Sequence, residues 1–449
     1  MKNMKRNMKR KMSPLCFIWI FAASLFTNSS VLAQSCDIGS PNLFLPPEWT
    51  PYGGFGDSLA VSDTRIVIGA PNINGVNGTV SLFDALSYEL IAQLVPIGGQ
   101  AITFGESVAI DAERVVIGAS MNSDIGLFYG AAYIFDALNG DQVLKLIPED
   151  GGIAARFGAS VAIDGDRVVV GALEDNDSPN ESGAAFLFDT NTGEQLLKLI
   201  PENGMRGDFF GASVSISGSV VIVGAPGDTT NGEYSGSVYL FNALTGGQIA
   251  KLLPSDGMPE DFFGAQVSTN DTTLIVAAVR DWQSMPLQRG SVYVFDLLTG
   301  EQQFKLFPSK GAEVGVFGAS ISLSDSIAAV GARSEGEGVV YLFDTATGEQ
   351  LTKVVDDVSA VPNLFGRTVA IHNGNLLVNS WHQKAFLYDI GFVQCPADFN
   401  ADCSLDLFDA SAFLNAYSEQ ESAGDFNADN TFNFLDISAF ISAYAQGCP

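Results

Sequence analysis

Residues 157–172 read FGASVAIDGDRVVVGA. Val161 and Ile163 alternate with Ala162, Asp164-Gly165-Asp166 supplies turn chemistry, and Val168 to Val170 returns. Apolar residues at period two on either side of a tight turn make a β-hairpin. A second hairpin follows: AAFLFD from Ala184, the turn TNTG from Thr190, and EQLLKLIP from Glu194 to Pro201. Four strands in about 50 residues is the size of one propeller blade.

The unit recurs seven times. Phe-Gly stands at Phe55, Phe104, Phe157, Phe210, Phe263, Phe317 and Phe365, at spacings of 49, 53, 53, 53, 54 and 48 residues. An aromatic residue followed by Asp or Asn marks the third strand at Phe83, Phe135, Phe188, Phe241, Phe295, Phe343 and Tyr388. A helical solenoid would need a 3.6-residue period, and the repeats carry none. In repeats two to five the last strand ends on Pro148, Pro201, Pro254 or Pro308, nine residues before the next Phe-Gly. The seventh repeat stops after Tyr388-Asp389, yet Leu43-Phe44-Leu45-Pro46 precedes the first repeat, with Pro46 again nine residues before Phe55. The N-terminus therefore supplies the missing strand, with Asn42–Pro46 at the outer edge of the last blade. Strand exchange of this kind closes the ring and removes two open sheet edges. The expected fold is all-β, a seven-bladed propeller of four-stranded blades closed by an N-terminal strand, plus a small helical C-terminal module.

These repeats resemble the FG-GAP repeats of integrin α-chain propellers and their bacterial relatives. Phe55-Gly56 with Gly69-Ala70-Pro71, and Phe210-Gly211 with Gly224-Ala225-Pro226, carry the name. The resemblance spans Asn42 to Asp389 and implies a binding or adhesion scaffold. Integrin-type blades often hold a calcium loop between the first two strands. Here that connection is a turn such as Asp164-Gly165-Asp166-Arg167, too short to wrap an ion in six or more oxygens, so no calcium is expected in the propeller. The acidic run Glu174-Asp175-Asn176-Asp177 reads as a solvated connection.

After Phe392 the composition changes, and Cys395 to Pro449 contains no Lys or Arg. The segment is duplicated: DFNADCSLDLFDASAFLNAY from Asp398 and DFNADNTFNFLDISAFISAY from Asp425. Oxygen-bearing side chains fall at positions 1, 3, 5, 9 and 12 of each twelve-residue loop, with a backbone carbonyl due at position 7. The candidate Ca²⁺ ligands are Asp398, Asn400, Asp402, Ser404, Asp406 and Asp409, then Asp425, Asn427, Asp429, Thr431, Asn433 and Asp436. Position 6, which favours glycine, holds Cys403 and Asn430, so the first loop is expected to be the weaker site. The duplication resembles a dockerin, a calcium-folded module with EF-hand-type loops that docks enzymes onto cohesins. Asp at position 12 agrees with that family. Leu407-Phe408 and Phe434-Leu435 stand where dockerins carry polar cohesin contacts, so the resemblance implies calcium-dependent folding rather than cohesin binding.

The first residues address the chain. Six basic residues precede the apolar run Leu15 to Phe26, and Val31-Leu32-Ala33 offers a small-residue cleavage site. Residues 1–33 read as a secretory signal peptide, 34–392 as the propeller and 393–449 as the tail. No later stretch is long and apolar enough to span a bilayer. Removing the six cations takes the formal charge from −29 to −35, which disfavours nucleic acid and anionic membrane. Four cysteines remain in the mature chain: Cys36, Cys395, Cys403 and Cys448. The bracketing of the tail favours Cys395–Cys448, with Cys36–Cys395 as the rival pairing.

Catalytic constellations are missing from the sequence. His372 and His382 are ten apart, no phosphate loop occurs, and Ser58, Ser107, Ser160, Ser213 and Ser320 recur after Phe-Gly-x, whereas a nucleophile would be singular. The expectation is a non-enzymatic, exported binding protein whose partner is an extracellular or cell-surface protein or polysaccharide. A polysaccharide-acting enzyme on a propeller scaffold is the alternative.

Overall fold

Every hairpin expected from the sequence forms. The computed structural model describes residues 41–47, 53–71, 77–98, 102–123, 128–150, 155–177, 180–280, 290–308, 316–333, 338–356, 364–380, 383–390, 407–419, 426 and 431–446. Its strands make seven four-stranded antiparallel sheets, one per Phe-Gly repeat. Blade 3 is typical, with strands Phe157–Asp164, Arg167–Ala172, Ala184–Asp189 and Gln195–Leu199 hydrogen-bonded in sequence order. The antiparallel order sends the first-to-second and third-to-fourth turns to one end of each sheet. The longer second-to-third loops and the blade-to-blade connections lie at the other. We call these the turn end and the loop end.

The last blade is completed from the other end of the chain. Asn42–Phe44 pairs with Lys384–Asp389, in the register Asn42↔Leu387, Leu43↔Phe386 and Phe44↔Ala385. The ladder stops at Phe44, so Leu45 and Pro46 lie beyond it; Pro46 has no N–H to offer. Phe44 is buried and meets Phe83 of blade 1 edge-on at 5.0 Å, so the exchanged strand also packs across the seam.

The Phe-Gly motif has a packing reason. Phe157 is fully buried and edge-on to Phe186 and Phe188 of its own third strand, and blades 2, 4, 5, 6 and 7 repeat this aromatic cluster. Gly158 adopts φ = 92°, a conformation that an L side chain rarely takes. Its carbonyl enters the preceding blade, where a Cβ on Gly118 would collide with it. The same carbonyl accepts the Ser107 hydroxyl at 2.9 Å. Ser58, Ser160, Ser213 and Ser320 donate to the carbonyls of Gly105, Gly211, Gly264 and Gly366 in the same way. The repeated serines are blade-to-blade rivets, as a packing position requires.

At the turn end the inner turns are also linked. Gly165 N–H donates to Asp111 Oδ2 at 2.7 Å, Gly218 N–H to Asp164, Ser217 to Asp271, and Asn270 to the Asp325 carbonyl. Asn373 closes the circle onto Asp63 at 2.6 Å, beside His372 Nε2 at 3.1 Å from the same carboxylate. His372 thus sits at the seam between blades 7 and 1. Inner strands lie close enough that Ser268 Oγ accepts Leu323 N–H and Ser322 Oγ accepts Ile371 N–H, each across a blade boundary at 3.1 Å.

The tail contributes two helices, α1 (Leu407–Glu419) and α2 (Phe434–Gln446). Phe413 and Phe440 hold the same place in the two copies of the duplication and stack on each other at 4.2 Å, with Phe426 edge-on to both. No helix among the described residues is long and apolar enough to cross a membrane.

Candidate functional sites at the loop end and in the tail

The loop end is where the repeats stop being alike. Among the described residues, the second-to-third loop is bridged to the chain entering the next blade at three blade boundaries, through Gly130↔Phe157, Gly183↔Phe210 and Gly236↔Phe263. Beside each bridge two non-glycine residues take positive φ: Phe128 and Arg156, Glu181 and Phe209, Tyr234 and Phe262. Each such residue costs of order 1–3 kcal/mol, sustained only because the surrounding bonds over-determine it. Phe262 N–H donates to the Tyr234 carbonyl at 3.0 Å, and Arg156 N–H to the Phe128 carbonyl at 3.3 Å.

These backbones aim aromatic and cationic side chains outward. Tyr234 and Phe262 stack with planes 2° apart and centroids 5.5 Å apart, and the Arg280 guanidinium lies 4.8 Å from the Phe262 centroid. Tyr234 and Phe128 remain 38% and 41% exposed. Arg206 reaches out to Glu181 at 3.2 Å. No spacing rule pointed to these residues. The available signal was the doublets Phe209-Phe210 and Phe262-Phe263, where one phenylalanine fills the core and its predecessor is left for the surface.

Beneath them lie buried charges. Asp228 accepts Lys251 Nζ at 2.7 Å and Tyr239 hydroxyl at 3.0 Å. Burial pushes the Asp228 carboxyl up, but the bonds from Lys251 and Thr230 outweigh it and hold it below the usual carboxylate range. Asp208 is raised, first by burial and further by the Asp228 charge, against the Met205 N–H that it accepts at 2.7 Å. Asp261 repeats the Asp208 arrangement in the next blade by accepting Met258 N–H. One sequence expectation is corrected here. Asp175 is fully buried and pairs with Lys198 Nζ at 2.9 Å, so the Glu174–Asp177 connection is anchored rather than solvated throughout. The third-to-fourth strand hairpin brings Lys198 beneath that loop, a contact invisible in local sequence.

The sequence profile of the FG-GAP repeat family matches residues 91–135, 141–188, 194–241, 247–295 and 301–343, more than half of the chain. The chain belongs to the FG-GAP repeat family. Each matched FG-GAP unit begins within one residue of the start of the outer strand of one blade and ends in the third strand of the next, so it spans one blade boundary. The FG-GAP matches stop short of the seam, where the exchanged N-terminal strand replaces a tandem neighbour. No curated protein matches the chain.

In the tail, Asp398, Asn400, Asp402, Ser404, Asp406, Asp425, Asn427 and Asp429 lie outside the described residues, as do Cys36, Cys395, Cys403, Cys448 and His382. Asp409 and Asp436, position 12 of the two loops, are fully buried in the first turns of α1 and α2. Asn433 N–H donates to Asp436 Oδ2 at 2.8 Å while Asn433 Oδ1 accepts Leu435 N–H at 2.7 Å, a reciprocal cap on α2. Asn433 Nδ2 also bonds the Thr431 carbonyl at 3.1 Å, which gathers positions 7, 9 and 12. Hard oxygen donors brought together at a helix start fit the chemistry of Ca²⁺. Phe434 and Leu435 are 72% and 59% exposed on α2, and the side chains of Leu407 and Phe408 lie outside the described set.

Proposed function

We propose that this is an exported, non-enzymatic binding or adhesion protein whose loop end takes a protein or glycan and whose tail folds on Ca²⁺. The observation that carries the reading is the division of labour among polar and aromatic groups. The repeated serines bridge blades and the repeated third-strand acids cap turns, whereas Phe128, Tyr234 and Phe262 stand at positive φ and are exposed or half-buried, aromatic at only some of the blade boundaries, with the exposed Arg280 beside Phe262. Aromatic and arginine side chains on rigid supports are the usual anchors of recognition surfaces. The FG-GAP scaffold fits such a role. The twelve tail residues from Asp398 to Asp436 named above would hold two Ca²⁺ ions, and the ions would supply the charge neutralisation that lets so acidic a module fold. The signal-like N-terminus supports export.

One observation favours the second reading, a polysaccharide-acting enzyme. Asp208 and Asp228 have carboxyl groups pushed in opposite directions, as an acid–base pair would be. Both are almost fully buried, and Asp261 repeats the Asp208 cap, so loop architecture accounts for them better. Probing glycan and protein arrays with the mature chain tests the binding reading. Retention of a ligand without its turnover supports it, and cleavage of a retained polysaccharide supports the enzyme.

A further inference from the structure

The loop end repeats a backbone and varies what that backbone carries. At the boundaries between blades 2 and 3, 3 and 4, and 4 and 5, the residue before Phe-Gly and the residue two before the bridging glycine both take positive φ. A third position is held the same way each time. Two residues past the second strand, Glu174, Gly227 and Arg280 donate their N–H to the carbonyls of Ala155, Asp208 and Asp261 at 3.2, 2.9 and 3.2 Å. Phe157, Phe210 and Phe263 fill the core beneath without variation.

The side chains on this frame change from one boundary to the next. Between blades 2 and 3 they are Phe128, Arg156 and Glu174, and Arg156 Nη1 lies 3.4 Å from Glu174 Oε1. Between blades 3 and 4 they are Glu181, Phe209 and Gly227. A Cβ on Gly227 would stand 2.8 Å from Phe209 Cδ2, so the missing side chain makes room for the ring. Arg206 Nε reaches Glu181 Oε2 there at 3.2 Å. Between blades 4 and 5 they are Tyr234, Phe262 and Arg280, stacked on one another. Exposed Glu233 and Glu260 run alongside, joined by Glu260 N–H to the Glu233 carbonyl at 2.8 Å. The places are exchanged, yet each boundary ends with an aromatic ring, a guanidinium and a carboxylate.

We infer, resting on the loop end as the recognition surface, that these three boundaries are successive subsites of one track for a neutral linear polysaccharide. A pyranose ring suits such a trio. Its C–H face meets the electron-rich face of an aromatic ring, while its hydroxyls accept from a guanidinium and donate to a carboxylate. A frame repeated at consecutive blades matches a ligand that itself repeats, which a folded protein surface does not. Arg156 with Glu174 and Arg206 with Glu181 cancel as pairs, and a chain this acidic repels a polyanion, so the sugar units it takes are uncharged.

The test begins with native electrophoresis of the whole mature chain through gels containing galactomannan, arabinoxylan, laminarin, dextran or hydroxyethylcellulose, with alginate as the polyanion. At least one neutral polymer should retard the protein, and alginate should not. In calorimetry the hexasaccharide of the retained polymer should bind at least about ten-fold more tightly than its disaccharide, because it engages neighbouring subsites at once. Phe128→Ala and Arg280→Ala, at the two outer boundaries, should each lower hexasaccharide affinity about ten-fold at little changed melting temperature. Leu86→Ser, in an exposed turn at the opposite end of the sheets, should leave it at the parental value. No retardation by any neutral polymer, equal affinity for the two oligosaccharides, or parental hexasaccharide affinity in either outer-boundary variant would overturn the proposal. A protein ligand lost on combining Phe128→Ser, Tyr234→Ser and Phe262→Ser, with no neutral glycan bound, would remove the polysaccharide and keep the loop end as the recognition surface. A glycan held with parental affinity by that triple variant would remove both.

Discussion

Thr368 Oγ1 donates to the carbonyl of Gly56, 3.0 Å away in space and 312 residues earlier in the chain. It is the bond that Ser58 makes to Gly105 and Ser160 to Gly211, carried over the seam by threonine. Blade 5 lacks this bond. Gln266 replaces the serine, and Ala277 replaces the glycine whose missing Cβ admits the neighbouring carbonyl in blades 1, 2, 3, 4 and 6.

Substitutions in that contact should rank by geometry. Ser160→Ala loses one hydrogen bond to a carbonyl at the blade boundary and should cost about 1 kcal/mol. Gly171→Ala drives a methyl into the Gly211 carbonyl and the Ser160 hydroxyl, and should cost upwards of about 3 kcal/mol. Denaturant unfolding of the two variants measures the order. A Gly171→Ala protein as stable as Ser160→Ala would show that the blades can separate freely.

Ring closure predicts a cost at the N-terminus. Deleting residues 34–47 leaves the Lys384–Asp389 strand as an open edge and removes Phe44 from its contact with Phe83. The deleted protein should aggregate or melt far below the parent, and Phe44→Ala alone should cost about 3–5 kcal/mol. Thermal melts with light scattering check both; a truncated chain that melts like the parent would contradict strand exchange as the closing device.

The buried Asp208 makes a pH-dependent prediction. Its folded-state pKa is raised, chiefly by burial, so the ionised form is disfavoured in the folded protein, and that penalty grows as pH rises past the ordinary Asp value of about 3.9. Asp208→Asn keeps an acceptor for Met205 N–H without the charge. It should raise the melting temperature at pH 7 and lose that advantage as pH falls below about 3, where both states of the parent are protonated. Equal gains at both pH values would assign the effect to packing.

Much of this was legible in the sequence because it is repeated. Seven Phe-Gly steps give the blades, and the nine-residue spacing from Pro46 to Phe55 gives the exchanged strand. The recurrence of serine after Phe-Gly-x correctly marked it as packing, although its partner, a carbonyl in the next blade, could not be read from local spacing. What escaped left no local signal. Phe128 and Tyr234 take positive φ without a glycine or asparagine to signal it. Asp175 looked solvated because its partner Lys198 arrives from a different hairpin. In the tail the helices begin at position 10 of the loops, since Asn433 caps α2 from within the loop.

The tail is expected to depend on calcium. Isolated residues 393–449 should be largely unfolded in chelator and gain helix when Ca²⁺ is added, with affinity no weaker than the about 10⁻⁴–10⁻³ M of extracellular modules. Asp425→Ala with Asp436→Ala should remove the tighter site. Identical circular dichroism with and without the ion would refute calcium-driven folding.

The loop end is the recognition surface in this reading, and its aromatics are the most direct test. Once an array supplies a ligand of the mature chain, the triple variant Phe128→Ser, Tyr234→Ser, Phe262→Ser should be measured beside the parent by surface plasmon resonance. Affinity should fall about a hundred-fold or more, as expected when three anchor side chains worth about 1 kcal/mol or more each are removed, with the melting temperature within a few degrees of the parent. An equally stable triple variant that binds with parental affinity would place recognition elsewhere on the propeller or on the tail.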